Sequence, residues 1–161
     1  MLCGICGFEI LKNTESLGTD YCHCTDEAEA YMACASQEYV IQLASIKIGT
    51  TKFEKADAPM GVVFGLVKFH AIENPYKFLH DYCKNNQVML NGDEPEHGLI
   101  LTQSIPDLRV FNEQGVEVQG LGVAMSGSRE EGYYIEIIGI AYPFFSEEFP
   151  HHVKAYEGMF K

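Results

Sequence analysis

An α+β fold with a largely antiparallel sheet is the prediction of this sequence, and three observations carry it. Short apolar stretches rich in β-branched and aromatic residues follow one another along the chain. Turn residues, mostly glycine and asparagine, stand between them at hairpin distances. Helix signals mark only two or three segments. At 161 residues and 47% hydrophobic content the chain can bury the core of one domain.

The elements are taken in order, beginning after residue 24. "TDEAEAYMACASQ" starts a helix: Thr25 caps it, and Asp26 and Glu27 occupy the first turn, where the helix dipole favours acids. Ala28, Met32, Ala35, Tyr39, Leu43 and Ile46 continue at spacings of three and four, which would carry the helix to Ile46. The density of β-branched residues in "YVIQLASIKI" argues instead for a stop near Ser36 and a strand beyond it, and we take that reading. "GVVFGLVKFHA" (61–71) is apolar on both alternating faces, as a central strand is. "NPYKFLHDYCKNN" is the clearest helix, with Asn74 as cap, Pro75 at the first helical position, and Tyr76, Leu79 and Cys83 along one side.

"QVMLNGDEPEHG" supplies a short strand and an acidic turn. "LILTQ", "LRVFNEQGVEVQG" and "LGVAMSG" read as strands, with a hairpin at Gly115, and "GYYIEIIGIAY" as another. "FPHHVKAYEGMFK" has Pro150 at a helix start and Val153, Tyr156 and Phe160 spaced three and four apart. The expected sheet core is Val63, Leu66, Val67, Ile100, Val110, Val123, Ile135 and Ile137, with Leu79 from the helix above it.

The formal net charge of −12 is unevenly spread. Residues 91–150 hold eleven acids against Arg109 and Arg129, and residues 1–31 hold six against Lys12. Such a field repels nucleic acid, and two arginines are a poor phosphate clamp. A basic protein partner suits it better, although acids also serve simply to keep a small protein in solution. Neither a membrane-length apolar run nor the pattern of a signal peptide occurs, so the expected compartment is the cytoplasm, where thiols stay reduced and cysteine clusters point to metal or catalysis.

Four of the six cysteines crowd the start: "CGICG" holds Cys3 and Cys6, and "CHC" holds Cys22 and Cys24. A Cys-x-x-Cys turn presents two thiolates from one tight loop, and the flanking glycines let backbone amides face sulfur. This stretch resembles the knuckle of zinc ribbons and rubredoxin-like fingers over about the first twenty-five residues, and its placement before a helix start resembles a treble clef. The resemblance implies one structural Zn²⁺ held by Cys3, Cys6, Cys22 and Cys24, in a module of residues 1–25 ahead of an acidic α+β domain of residues 26–161. In "CHC" one residue separates the cysteines where the family has two, and His23 is the alternative ligand. Cys24 lies directly before the capping Thr25, where the helix N-terminus stabilises thiolate. Unligated reduced cysteines and a Cys3–Cys6 redox pair are the competing readings.

Other constellations are weaker. His80 and Cys83, with Asp81 adjacent, sketch a thiol nucleophile beside a base. Asp93, Glu94, Glu96 and His97 gather carboxylates that a hard cation would accept, but without the spacing of an EF-hand. Adjacent residues on a helix are expected to point apart, which argues against joint metal binding by His151 and His152. "AYPFFSEEF" sets Phe144 and Phe145 beside Glu147 and Glu148, a composition suited either to gripping a basic partner or to packing the C-terminal helix. Strand–turn–strand order brings turn acids together, so Asp93, Glu94 and Glu96 are expected near Glu130 and Glu131. The function expected is a non-enzymatic interaction protein that binds, and blocks, a basic partner in the manner of an immunity protein or inhibitor. The alternative is a small enzyme using a metal in the Asp93–His97 loop or the Cys83 thiol.

Overall fold

The computed structural model describes residues 36–161. Cys3, Cys6, Cys22 and Cys24, and the helix expected after Thr25, lie outside the described residues. The rest is α+β, with two antiparallel sheets and three helices.

Ten strands form the sheets: β1 (Tyr39–Leu43), β2 (Ile46–Thr51), β3 (Lys55–Asp57), β4 (Val62–Leu66), β5 (Lys68–Phe69), β6 (Leu90–Glu94), β7 (Leu99–Thr102), β8 (Leu108–Phe111), β9 (Gly122–Ser128) and β10 (Gly132–Ile138). One sheet has the order β5-β2-β1-β8 and the other β3-β4-β10-β9-β7-β6. The helices are α1 (Pro75–Asn85), α2 (Phe144–Glu148) and α3 (Pro150–Gly158).

The stretch expected as one strand over 39–48 is a hairpin. Ala44 and Ser45 take φ of 49° and 67° and turn β1 back onto β2. A hairpin turn with positive φ at both central positions is usually held by Asn-Gly, so Ala-Ser gives no turn signature. "GVVFGLVKFHA" is likewise divided. β4 lies between β3 and β10 in the larger sheet, and beyond Val67 the chain crosses to pair β5 with β2 in the smaller one.

α1 forms as its sequence predicts. The Asn74 side chain accepts from the Lys77 N–H at 3.1 Å, Pro75 follows at the first helical position, and Leu79 and Cys83 are fully buried. Both sheets, α1 and α2 feed one continuous core. Of the expected core residues Val63, Val67, Ile100, Val110, Ile135, Ile137 and Leu79 are buried and Val123 is partly buried. Leu66 is the correction: it is 46% exposed, because it pairs with Tyr134 on the outward-facing alternation of β4 and β10.

The "AYPFFSEEF" stretch folds inward. Phe145 and Phe149 are fully buried, and the rings of Tyr39, Phe53 and Phe149 pack together with centroids 5.0–5.9 Å apart. Glu148 is half-buried and accepts from the Tyr39 hydroxyl at 3.0 Å and from Asn112 Nδ2 at 3.1 Å. Asn112 in turn accepts from the N–H groups of Gln114 and Val116 through Oδ1, closing the turn after β8. Asn112→Ala should therefore cost about 1–3 kcal/mol by orphaning these groups, as denaturant titration would show.

Of Val153, Tyr156 and Phe160, Val153 packs partly buried against the core and the other two are exposed. Phe160 is 74% exposed, and the helix buries His151.

Candidate acidic cleft

Two turns meet at one end of the six-stranded sheet. β6 and β7 are joined by residues 95–98, and β9 and β10 by residues 129–131. Because β7 pairs with β9, with Ile100 opposite Gly127, the two hairpin ends lie side by side. They enclose an open cleft of about 430 Å³, lined by Glu94, Glu96, His97 and Leu99 from one hairpin and Ser128, Arg129, Glu130 and Glu131 from the other.

Three hydrogen bonds lock the hairpins together. The Arg129 N–H donates to the His97 carbonyl at 3.1 Å, and Arg129 Nη1 donates to the Glu96 carbonyl at 3.4 Å. The hydroxyl of the buried Tyr133 donates to the Gly98 carbonyl at 2.6 Å. Gly98 has φ +58°, and a Cβ there would sit 3.1 Å from the Tyr133 oxygen. Gly127, at φ +151°, lies so close to Gly132 that a Cβ would overlap its carbonyl oxygen. Both positions need glycine for conformation and for space. The carboxylates are thus carried on a frame whose backbone is already paired.

The expected gathering of turn acids occurs, with one member diverted. Glu94, Glu96, Glu130 and Glu131 are exposed around the cleft. Asp93 contributes to a neighbouring shallow hollow but is held towards α1, accepting from the Tyr76 hydroxyl and lying 3.3 Å from His80 Nε2. Partial desolvation, followed by that bond to Asp93, pushes the Tyr76 phenol up to about 12. The Tyr76 and His80 rings are stacked, with centroids 5.5 Å apart. Tyr76, His80 and Asp93 therefore bind α1 to β6.

The remaining site expectations separate. Glu147 is exposed and Phe144 half-buried, while Phe145 is sealed in the core and Glu148 is committed to Tyr39 and Asn112. Burial holds the Cys83 thiol above its ordinary range, the opposite of what an activated nucleophile needs. Among the described residues no three His, Cys, Asp or Glu side chains converge as a metal-ligand set, the Asp93–His97 turn included. No helix among them is long and apolar enough to cross a membrane.

Sequence reasoning missed Arg129 and Tyr133. Arg129 entered only the charge balance, and Tyr133 only as part of the strand "GYYIEIIGIAY". Only the β7–β9 pairing shows that both tie the second turn to the first.

Comparison with known proteins finds no family model, no curated protein and no solved structure that matches this chain.

Proposed function

We propose that this protein is a non-enzymatic binding module whose acidic cleft receives a basic segment of a protein partner and blocks it, in the manner of an inhibitor or immunity protein. The single observation that carries this reading is the convergence of Glu94, Glu96, Glu130 and Glu131, from two hairpins far apart in sequence, around one cleft on a hydrogen-bonded frame. Like charges held together repel one another, a cost that binding a cation relieves. The cleft admits a lysine or arginine side chain, and Arg129, already tied to the Glu96 carbonyl, offsets only part of the negative field. A nucleic acid would meet the same field as repulsion.

The test is comparative capture. Immobilised wild-type chain should retain a basic protein that a Glu94→Lys, Glu96→Lys variant releases. Equal retention by both would remove the cleft from the interaction.

The structural zinc belongs to the same proposal and rests on the CxxCG spacing and the CHC pair. Protein purified without chelators should contain one Zn²⁺ per chain by elemental analysis, and Cys6→Ser should abolish it while leaving the sheet core folded. Metal-free protein would refute the assignment of Cys3, Cys6, Cys22 and Cys24.

A further inference from the structure

The six-stranded sheet has two unlike faces. Val63, Ile100, Met125, Ile135 and Ile137 or their strand neighbours carry the core, and it is the buried set that faces inward. The opposite alternation keeps contact with solvent. On that outer face the pairing sets Leu66, Tyr134, Ser126 and Leu101 opposite one another, in a row across β4, β10, β9 and β7. Four strands at about 4.8 Å spacing make this a stripe roughly 14 Å long. Leu66 is 46% and Leu101 39% exposed, and Tyr134 between them is partly exposed. Two glycines make room for the leucines. A Cβ on Gly92, opposite Leu101 on β6, would sit 2.8 Å from Leu101 Cδ1, and one on Gly132 would sit 2.9 Å from Leu66 Cδ1.

The stripe and the acidic cleft share this face. Leu99 and Ser128, which line the cleft, stand two residues from Leu101 and Ser126 on the same alternation, about 7 Å along the strands. Glu94, opposite Leu99, belongs to it as well, whereas Asp93, one residue earlier, is turned towards α1. On the far side of the stripe the next outward row holds Glu136, opposite Phe64. Lys55, at the end of that row, lies over the Tyr134 ring at 5.9 Å from its centroid. Acids therefore border the stripe on both sides.

We propose that this stripe continues the docking surface of the acidic cleft: the partner sets basic side chains in the cleft and an adjoining apolar patch on Leu66, Tyr134 and Leu101. The inference rests on the cleft receiving a basic partner, and adds the apolar half of the contact. Charge selects the occupant. A second copy of this chain, with its formal charge of −12, would bring acidic borders against acidic borders, and an anionic lipid surface would be repelled in the same way. A basic protein meets attraction on both sides of the stripe. The carboxylates act on encounter, while apolar contact is short-range and slows dissociation.

The probes are two synthetic peptides of equal charge, each with lysines at one end. In one the lysines are followed by leucines alternating with serines, and in the other by serines throughout. Titrated into the isotope-labelled full chain, both should shift the amides of Arg129 and Glu130 at the cleft, and only the leucine peptide should also shift Leu101, Ser126 and Tyr134. The leucine peptide should bind at least about tenfold more tightly. Leu66→Ser with Leu101→Ser should erase that preference and leave the affinity of the serine peptide unchanged; the wild-type shift map decides should this variant not fold. Equal affinity for the two peptides, or leucine-specific shifts away from the stripe, overturns the inference and leaves the cleft reading intact. Cleft amides unmoved by either peptide would be the failure of the cleft reading itself, and the stripe falls with it. A chain that dimerises with rising concentration until Leu101→Ser is introduced, or Overhauser contacts from residues 1–35 to the stripe in the free chain, would give this face another occupant and overturn the proposal.

Discussion

Phe149→Ala should lower the free energy of unfolding by about 3–5 kcal/mol, the largest effect expected of a single truncation here. Phe149 is fully buried, and its ring meets Tyr39 at 5.6 Å, Phe53 at 5.9 Å and Phe145 at 5.4 Å. The loss has two parts: transfer of an aromatic ring out of the core, and a cavity that three rigid neighbours cannot collapse to fill. The backbone of Phe149 also ends α2 and begins α3, so the disturbance reaches both helices. Urea denaturation followed by fluorescence and circular dichroism measures it. A loss below about 1 kcal/mol would mean that the rings repack freely and that the C-terminal segment is only loosely attached to the sheets.

Leu79→Ala comes next, at about 2–5 kcal/mol. Leu79 has no exposed surface and sits on the face of α1 that turns into the shared core with Cys83. Helix propensity hardly opposes the change, since alanine is the better helix former, so the measured loss reports packing rather than local helix stability. Lost transfer energy without much cavity relaxation gives the lower half of the range, and a rigid void the upper half. Stability within half a kcal/mol of wild type would place α1 with a different face to the sheet.

What the sequence made legible follows from where its local signals were strong. α1 was readable because Asn74 and Pro75 act within one turn of the residues they cap, and no tertiary contact is needed to interpret them. The strands over 99–102 and 132–138 were readable because short apolar runs rich in β-branched and aromatic residues stand between turn residues. The Ala44–Ser45 turn was not, because those residues reach positive φ only under the pull of the flanking β1–β2 pairing. Nor was the fate of Leu66, since a continuous apolar run hides which alternation faces the core until the partner strands are known.

The cleft shows the same division. Side-by-side turn acids could be anticipated from strand–turn–strand order, and Glu94, Glu96, Glu130 and Glu131 do meet. Asp93 could not be told apart from Glu94 by composition. It is drawn off by Tyr76 and His80, whose positions depend on how α1 lies against β6. Phe144, Phe145, Glu147 and Glu148 suited a binding surface and a packing role equally, and burial of Phe145 with the Glu148–Tyr39–Asn112 bonds assigns Phe145 and Glu148 to packing.

The most direct test of the acidic cleft is the association rate with a captured basic partner, measured by stopped flow across ionic strength. Exposed charges steer encounter over distances that screening shortens to about 8 Å at physiological salt. Wild-type association should therefore slow steeply as salt rises. Glu94→Lys with Glu96→Lys should slow it at least about tenfold at low salt, with a smaller change in dissociation and a flatter salt dependence. An association rate indifferent both to salt and to the double reversal would show that these carboxylates are solvated surface and that the partner docks elsewhere.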